Sequence, residues 1–253
     1  MGVLNGVVSF GRGKARGKVV FGAKKDAVAG EGAVCVFSHD FLPVEGKVIN
    51  ACCGVVFDVS DSGLAGFFER HFVGEEKFPV VGLYDVGCFR EGDDVIVDAD
   101  NKTVEIVGVE VIHVATAVIF SPDGRVMVFR RSQAVGSHRG LWAGVSGHVE
   151  NGEDPVETAW RELREETGFG PKDLHFLGAG KVLYARGGDR VWAVHPSGFL
   201  LKGGGEKPAL LKPRLDWENV EYKWMGVDEI KRLEERGLTV PRLWDTVMRV
   251  RAF

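Results

Sequence analysis

Residues 147–169 read GHVENGEDPVETAWRELREETGF, a polar loop running into an acidic helix. Asp154 is suited to cap that helix, Pro155 to its first turn and Gly168 to its stop, so the spacing predicts a helix over about 155–167. At about 100° per residue, Glu162, Glu165 and Glu166 fall within an arc of roughly 100°, which puts three carboxylates on one helix face. Such a face repels itself unless a cation sits on it. Val156, Ala159, Trp160 and Leu163 take a different arc, an apolar stripe able to dock the helix on a sheet and leave the acids to a groove. Arg161 stands four residues before Glu165 and can pair with it. All-oxygen ligand sets suit hard cations, and magnesium takes a few carboxylates, waters and the phosphates of its substrate. A solvated acidic helix face is the plain alternative.

Outward from this stretch the pattern is one of strands. VIHVATAVIF and RVMVFRRS flank Ser121-Pro122-Asp123-Gly124, a hairpin turn. GLWAGVSGHVE leads into the helix, DLHFLGAGKVLYA and RVWAVHPSGFLL give two further strands, and VEYKWM another. A second helix is expected at about 227–236, and PRLWDTVMRVRAF, with Leu243, Val247 and Val250 at helical spacing, should close the domain. Strands with helices on both faces predict an α/β/α sandwich with a mixed sheet.

Gly147, five residues, Glu153, seven residues, then Arg161-Glu162-Leu163-Arg164-Glu165-Glu166-Thr167-Gly168-Phe169 resembles the complete Nudix hydrolase box. Phe169 is the one departure, since the family usually carries an aliphatic residue there. The resemblance covers about residues 109–253 and implies the Nudix fold and water attack on a diphosphate linkage. It makes Glu162, Glu165 and Glu166 metal ligands, with the Gly147 carbonyl as an additional one. Arg161 and Glu153 become supports, Arg161 orienting a carboxylate and Glu153 bonding Arg161 across the loop. It implies magnesium, with manganese as the alternative, and no organic cofactor. Glu162 is the first choice for the base that takes the proton of the attacking water, with Glu218 or Glu221 of LDWENVEYKWM as later-loop alternatives. Nudix-like isopentenyl diphosphate isomerases use a catalytic cysteine, and none lies near this box.

The composition, 45% hydrophobic and 27% charged, is that of a soluble globular chain of one large or two ordinary domains. No run approaches 18 apolar residues and the start lacks a signal-peptide pattern, so no membrane partner and a cytoplasmic location are expected. Cys35, Cys52, Cys53 and Cys88 fit no zinc-ligand spacing and read as reduced packing residues. Up to Glu110 there are 11 Lys+Arg against 17 Asp+Glu (11 − 17 = −6), and beyond it 21 against 19 (21 − 19 = +2), so neither part carries a nucleic-acid footprint. The expected partner is a nucleotide-type small molecule. Trp142, Trp217, Trp224 and Tyr184 are candidate base-stacking residues; core packing is favoured for Trp142 and Trp224, and exposure for Trp217.

Residues 1–108 form a separate β-rich region, with short strands in GKVVFG, AVCVFS, CGVVFDVS, FPVVGLY and DDVIVDADNKTVEIV. The run Gly11-Arg-Gly-Lys-Ala-Arg-Gly17 is read as a surface turn rather than a phosphate cradle, and His39 and His71 as isolated histidines. The order of elements is similar to the swivelling phosphohistidine (β/β/α) domain of phosphoenolpyruvate-utilising enzymes. Leu64-Ala65 stands where that domain has its Ser-His, and His71 lies beyond the position, so the phosphoacceptor is missing. The expected roles are covering the groove, pairing two subunits as a homodimer, or binding a further ligand. For the whole chain the leading expectation is a magnesium-dependent Nudix hydrolase cleaving a nucleoside diphosphate derivative. The alternative is a nucleotide-sensing or scaffold protein that uses the same fold for binding.

Overall fold

The computed structural model describes residues 2–21, 33–38, 54–59, 66, 79–202 and 212–251. His39, Cys52, Cys53, Leu64, Ala65 and His71, singled out above, lie outside the described residues. By packing the chain falls into two units: Met1–Ile112 with Tyr184–Ala193, and His113–Leu183 with Val194–Phe253. Sequence reading divides the chain once, at 108/109. The structure also gives Tyr184–Ala193 to the first unit, because the Asp85 carboxylate accepts from the Tyr184 N–H at 2.7 Å and Arg186 pairs with Asp93. No local pattern reports contacts between residues nearly a hundred positions apart.

The first unit carries β1 (Leu4–Asn5), β2 (Val8–Phe10), β3 (Lys14–Phe21), β4 (Ala33–Phe37), β5 (Gly54–Asp58), β6 (Val80–Leu83), β7 (Asp94–Asp98) and β8 (Thr103–Ile106). Their order in the sheet is β1-β8-β7-β3-β4-β5-β6-β2. From β3 to β6 the strands run parallel, and the continuous apolar runs of β4 to β6 are buried, as parallel strands require. The basic run supplies Lys14 and Arg16 to β3, where they pair with Asp98 and Asp94. Arg16 holds the Asp94 carboxyl below its ordinary range. Cys35 is disulfide-bonded and Cys88 is a buried thiol. The reading of all four cysteines as reduced therefore fails for Cys35: a bridge depends on the approach of two β-carbons in space, which spacing along the chain does not reveal. Tyr184 is buried, and burial pushes its phenol up, so it is no exposed stacking surface.

The second sheet is built from β9 (Glu110–Phe120), β10 (Val126–Arg131), β11 (Trp142–Ala143), β12 (Val145–His148), β13 (Leu174–Ala179), β14 (Leu183–Gly187), β15 (Arg190–Leu201) and β16 (Asn219–Met225). Its spine runs β11-β10-β9-β15-β13, with β12 on β9, β14 on β15 and β16 on β10. The helices are α1 (Pro155–Glu162), α2 (Val227–Glu235) and α3 (Leu243–Met248). Alternation along β9 and β10 feeds two cores. Ala115, Ala117, Ile119, Met127 and Phe129 pack with Ala159 and Leu163 of the acidic helix. Val118, Phe120, Val126 and Val128 pack with Ile230, Leu243 and Val247 of the other helices. That is a helix–sheet–helix sandwich on a mixed sheet, preceded by a β-rich unit. Phe169 fills the first core, and the Trp160 and Phe199 rings meet edge-on at 4.7 Å. Trp142 is buried, Trp224 packs on the first core, and Trp217 stands 65% exposed. Among the described residues no helix is long and apolar enough to cross a membrane.

Near the first core, His113 Nδ1 and His195 Nε2 are 3.0 Å apart and their rings stack. Burial, then His113, lowers His195 to about 4, with Asp154 opposing. A histidine depressed in the fold binds protons more tightly when unfolded, so its contribution is present above about pH 6.5 and lost as pH falls toward 4. A full shift of that size corresponds to about 3 kcal/mol, and residual exposure brings it to about 2 kcal/mol. Urea unfolding at pH 7 and pH 4.5 should therefore show a shallower acid loss in His195→Asn than in the parent. Equal losses would rule out the pair as a source of acid sensitivity.

Candidate active site

The helix begins as its sequence requires: Asp154 accepts from the Val156 and Glu157 N–H groups at 2.8 and 3.4 Å, and Pro155 occupies the first turn. It does not end as a plain α-helix. Residues Leu163–Thr167 widen into a π-helical turn, and the Thr167 hydroxyl donates to the Leu163 carbonyl. Gly168, at φ 75°, closes the turn in the left-handed region and returns its N–H to the Arg164 carbonyl. The three glutamates consequently share a side of the helix but not an environment. The Glu162 side chain is 14% exposed and that of Glu165 60%. Glu166 is buried, 6% exposed as a residue.

Arg161 organises the near end of the site. Its Nε and Nη2 donate to the two Glu153 oxygens at 3.1 and 3.2 Å, a bidentate pairing. Nη1 donates to Glu162 Oε1 at 2.5 Å and lies 3.5 Å from Glu165, while Nη2 also reaches the His148 carbonyl at 3.3 Å. Bonding to Arg161 holds Glu153 down at about 2, and Glu153 in return raises Arg161. Glu162 is raised, by burial first, against the opposing pull of Arg161. Its side chain lies against Gly147 in β12: a β-carbon there would sit 1.9 Å from Glu162 Oε1. Gly147 is thus the bare floor on which Glu162 rests.

At the far end, burial raises Glu166 to about 8, opposed by an Asn219 hydrogen bond and reinforced by Glu218, Asp216 and Glu162. Asn219 Nδ2 donates to Glu166 Oε2 at 2.7 Å. Sequence reasoning missed this residue; it sits between the two acids considered in LDWENVEYKWM, and nothing local ties it to a residue 53 positions earlier. Glu218 is the one of those acids whose charge bears on Glu162 and Glu166, and its carbonyl accepts from the Ser132 N–H at 2.6 Å. Glu218 also lies 3.9 Å from Arg131, and Glu221 pairs with Arg130 at 3.1 Å.

The carboxylates fit a hard divalent cation. Glu162, Glu165, Glu166, Asp216 and Glu218 lie close enough to oppose one another's ionisation, and a cation among them would offset that repulsion. Among the described residues no three acidic, histidine or cysteine side chains converge on a single point.

A family model described as NUDIX domain matches residues 112–243. The chain is 31% identical over 128 residues to an RNA pyrophosphohydrolase of Halorhodospira halophila, covering 45% of this chain and 67% of that one. It is 31% identical over 94 residues to the asymmetrical bis(5'-nucleosyl)-tetraphosphatase of Mus musculus, covering 37% of this chain and 61% of the relative. A solved MutT protein from Methanosarcina mazei superimposes with a TM-score of 0.42 and 23% identity, over 57% of this chain and 95% of the other. The chain belongs to the Nudix family and is a Nudix-type pyrophosphohydrolase.

Proposed function

We propose that this protein is a magnesium-dependent hydrolase that cleaves the diphosphate linkage of a nucleoside diphosphate derivative. The observation that carries the reading is the paired arrangement of Glu162, seated on Gly147 and bonded by Arg161, and Glu166, buried and bonded by Asn219. The names of the two relatives, one acting on RNA and one on dinucleoside tetraphosphates, support a nucleotide substrate. Glu162, Glu165, Glu166 and the Gly147 carbonyl would hold the ion, with manganese as a substitute for magnesium. A bound divalent cation supplies charge neutralisation at the phosphate oxygens and a lowered pKa for water.

The residues of the chain do the rest. Water attacks phosphorus, one P–O bond forms as the bridging P–O bond breaks, and the departing phosphate takes the bridging electrons. Glu162, raised by burial, accepts the proton of that water, while Glu218 is the second candidate for this step. Arg161 keeps Glu162 in one orientation, and Glu153 keeps Arg161 in place.

The test is product release from a panel of nucleoside diphosphate derivatives with magnesium, run beside Glu165→Gln. Because Glu165 is the most exposed of the three acids, its loss should slow turnover at least about tenfold with little change in the fold. Specific nucleotide binding with no turnover anywhere in the panel would overturn the hydrolase reading in favour of a nucleotide sensor.

A further inference from the structure

A carboxylate that receives a cation must be held in one orientation while an oxygen lone pair stays available to the ion. Among the described residues Arg161 attends to Glu153, Glu162 and Glu165, and no lysine or arginine pairs with Glu166. What touches the Glu166 carboxylate is the side-chain amide of Asn219, donating at 2.7 Å to Oε2. Both residues are buried, at 6% and 5% exposure, so neither solvent nor a surface rotamer readily replaces the contact.

The backbone fixes Asn219 independently of Glu166. It is the first residue of β16 and pairs in register with Arg131, at a bulge that separates that pair from the regular ladder between Arg130 and Glu221. The preceding residue is tied down as well, its carbonyl accepting from Ser132 and its N–H donating to Asp216. Bulges re-aim side chains beside functional sites. Here the strand end delivers an uncharged donor into the acid cluster from an element other than the helix that carries the glutamates.

We propose that Asn219 is a positioning residue for the hydrolytic reaction, holding Glu166 in the orientation in which it receives the divalent cation without neutralising it. This rests on the reading of Glu166 as a cation ligand. Asn219 acts through Glu166. Outer partners of metal ligands commonly change affinity or activity by about 10–100-fold when removed.

The experiment uses the full-length protein and four forms: parent, Asn219→Leu, Glu166→Gln and the double variant. Manganese binding is followed by electron paramagnetic resonance without substrate, and kcat and KM are measured at saturating magnesium. Asn219→Leu should weaken manganese binding about tenfold and lower kcat by a similar factor, with KM changed less than twofold. In the Glu166→Gln background the same change should add almost nothing, because the partner it acts through is gone. Asn219→Ser, which restores a hydroxyl donor, should recover part of the loss and serves if the leucine variant does not fold. Unchanged manganese affinity in a folded Asn219→Leu protein, or a full additional loss in the double variant, overturns the role of Asn219. Unchanged manganese binding in Glu166→Gln overturns the metal-site reading beneath it.

Discussion

Glu166→Gln is expected to slow turnover by about a thousandfold while leaving the fold at least as stable as the parent. The two effects have opposite signs for one reason. Glu166 is 6% exposed, and burial together with Glu218, Asp216 and Glu162 raises its carboxyl to about 8. A carboxyl raised in the fold is favourable only while protonated, so without metal the parent loses stability as pH rises from about 4.5 toward 8. Glutamine has nearly the same shape, can still accept from Asn219, and carries no charge to bury. It should keep the stability that the parent loses over that range. The charge it lacks is the one a cation needs, so catalysis suffers where folding gains. Steady-state rates with magnesium and urea midpoints in chelator at pH 8 test both halves. A variant with near-parental kcat would remove Glu166 from the metal site, and a lower midpoint would contradict the stored-charge account.

Gly147→Ala should cost about a hundredfold in kcat with only a small change in melting temperature. The added β-carbon would lie 1.9 Å from Glu162 Oε1, 2.1 Å from its Cδ and 2.6 Å from its Cγ. All three atoms belong to the far end of a flexible side chain, so the backbone need not give way and the fold should survive. The carboxylate must move instead, away from Arg161. Gly170→Ala is the natural control, since a β-carbon there meets nothing within 4 Å. Full activity in Gly147→Ala would mean that Glu162 works in some other rotamer.

The near end of the site was legible in the sequence because its contacts are local. Asp154 capping and the docking of Leu163 follow from the helical pattern, and the Glu153–Arg161 pairing was implied by the box that the stretch resembles. The two-faced sheet was legible as well, through alternation in β9 and β10. The far end was not. Helical spacing puts Glu162, Glu165 and Glu166 on one broad face but does not say which of them the core covers, and the π-helical turn over Leu163–Thr167 has no marker in composition. Glu218 and Glu221 looked interchangeable, but Arg130 on β10 claims Glu221 by strand register. The Asn219–Glu166 bond and the grouping of Tyr184 with Asp85 depend on how distant segments pack, which the local pattern does not encode.

The guanidinium of Arg161 gathers the Glu153 carboxylate, the His148 carbonyl and Glu162, while the Glu150 N–H turns back to Glu153 Oε2. These bonds close the segment from strand to helix into a ring, and a ring has a circumference. The chain between Gly147 and Glu153 therefore acts as a ruler. One residue more or fewer would leave every named side chain present and yet part Glu162 from its floor, so a count of residues is itself a specification of the site here.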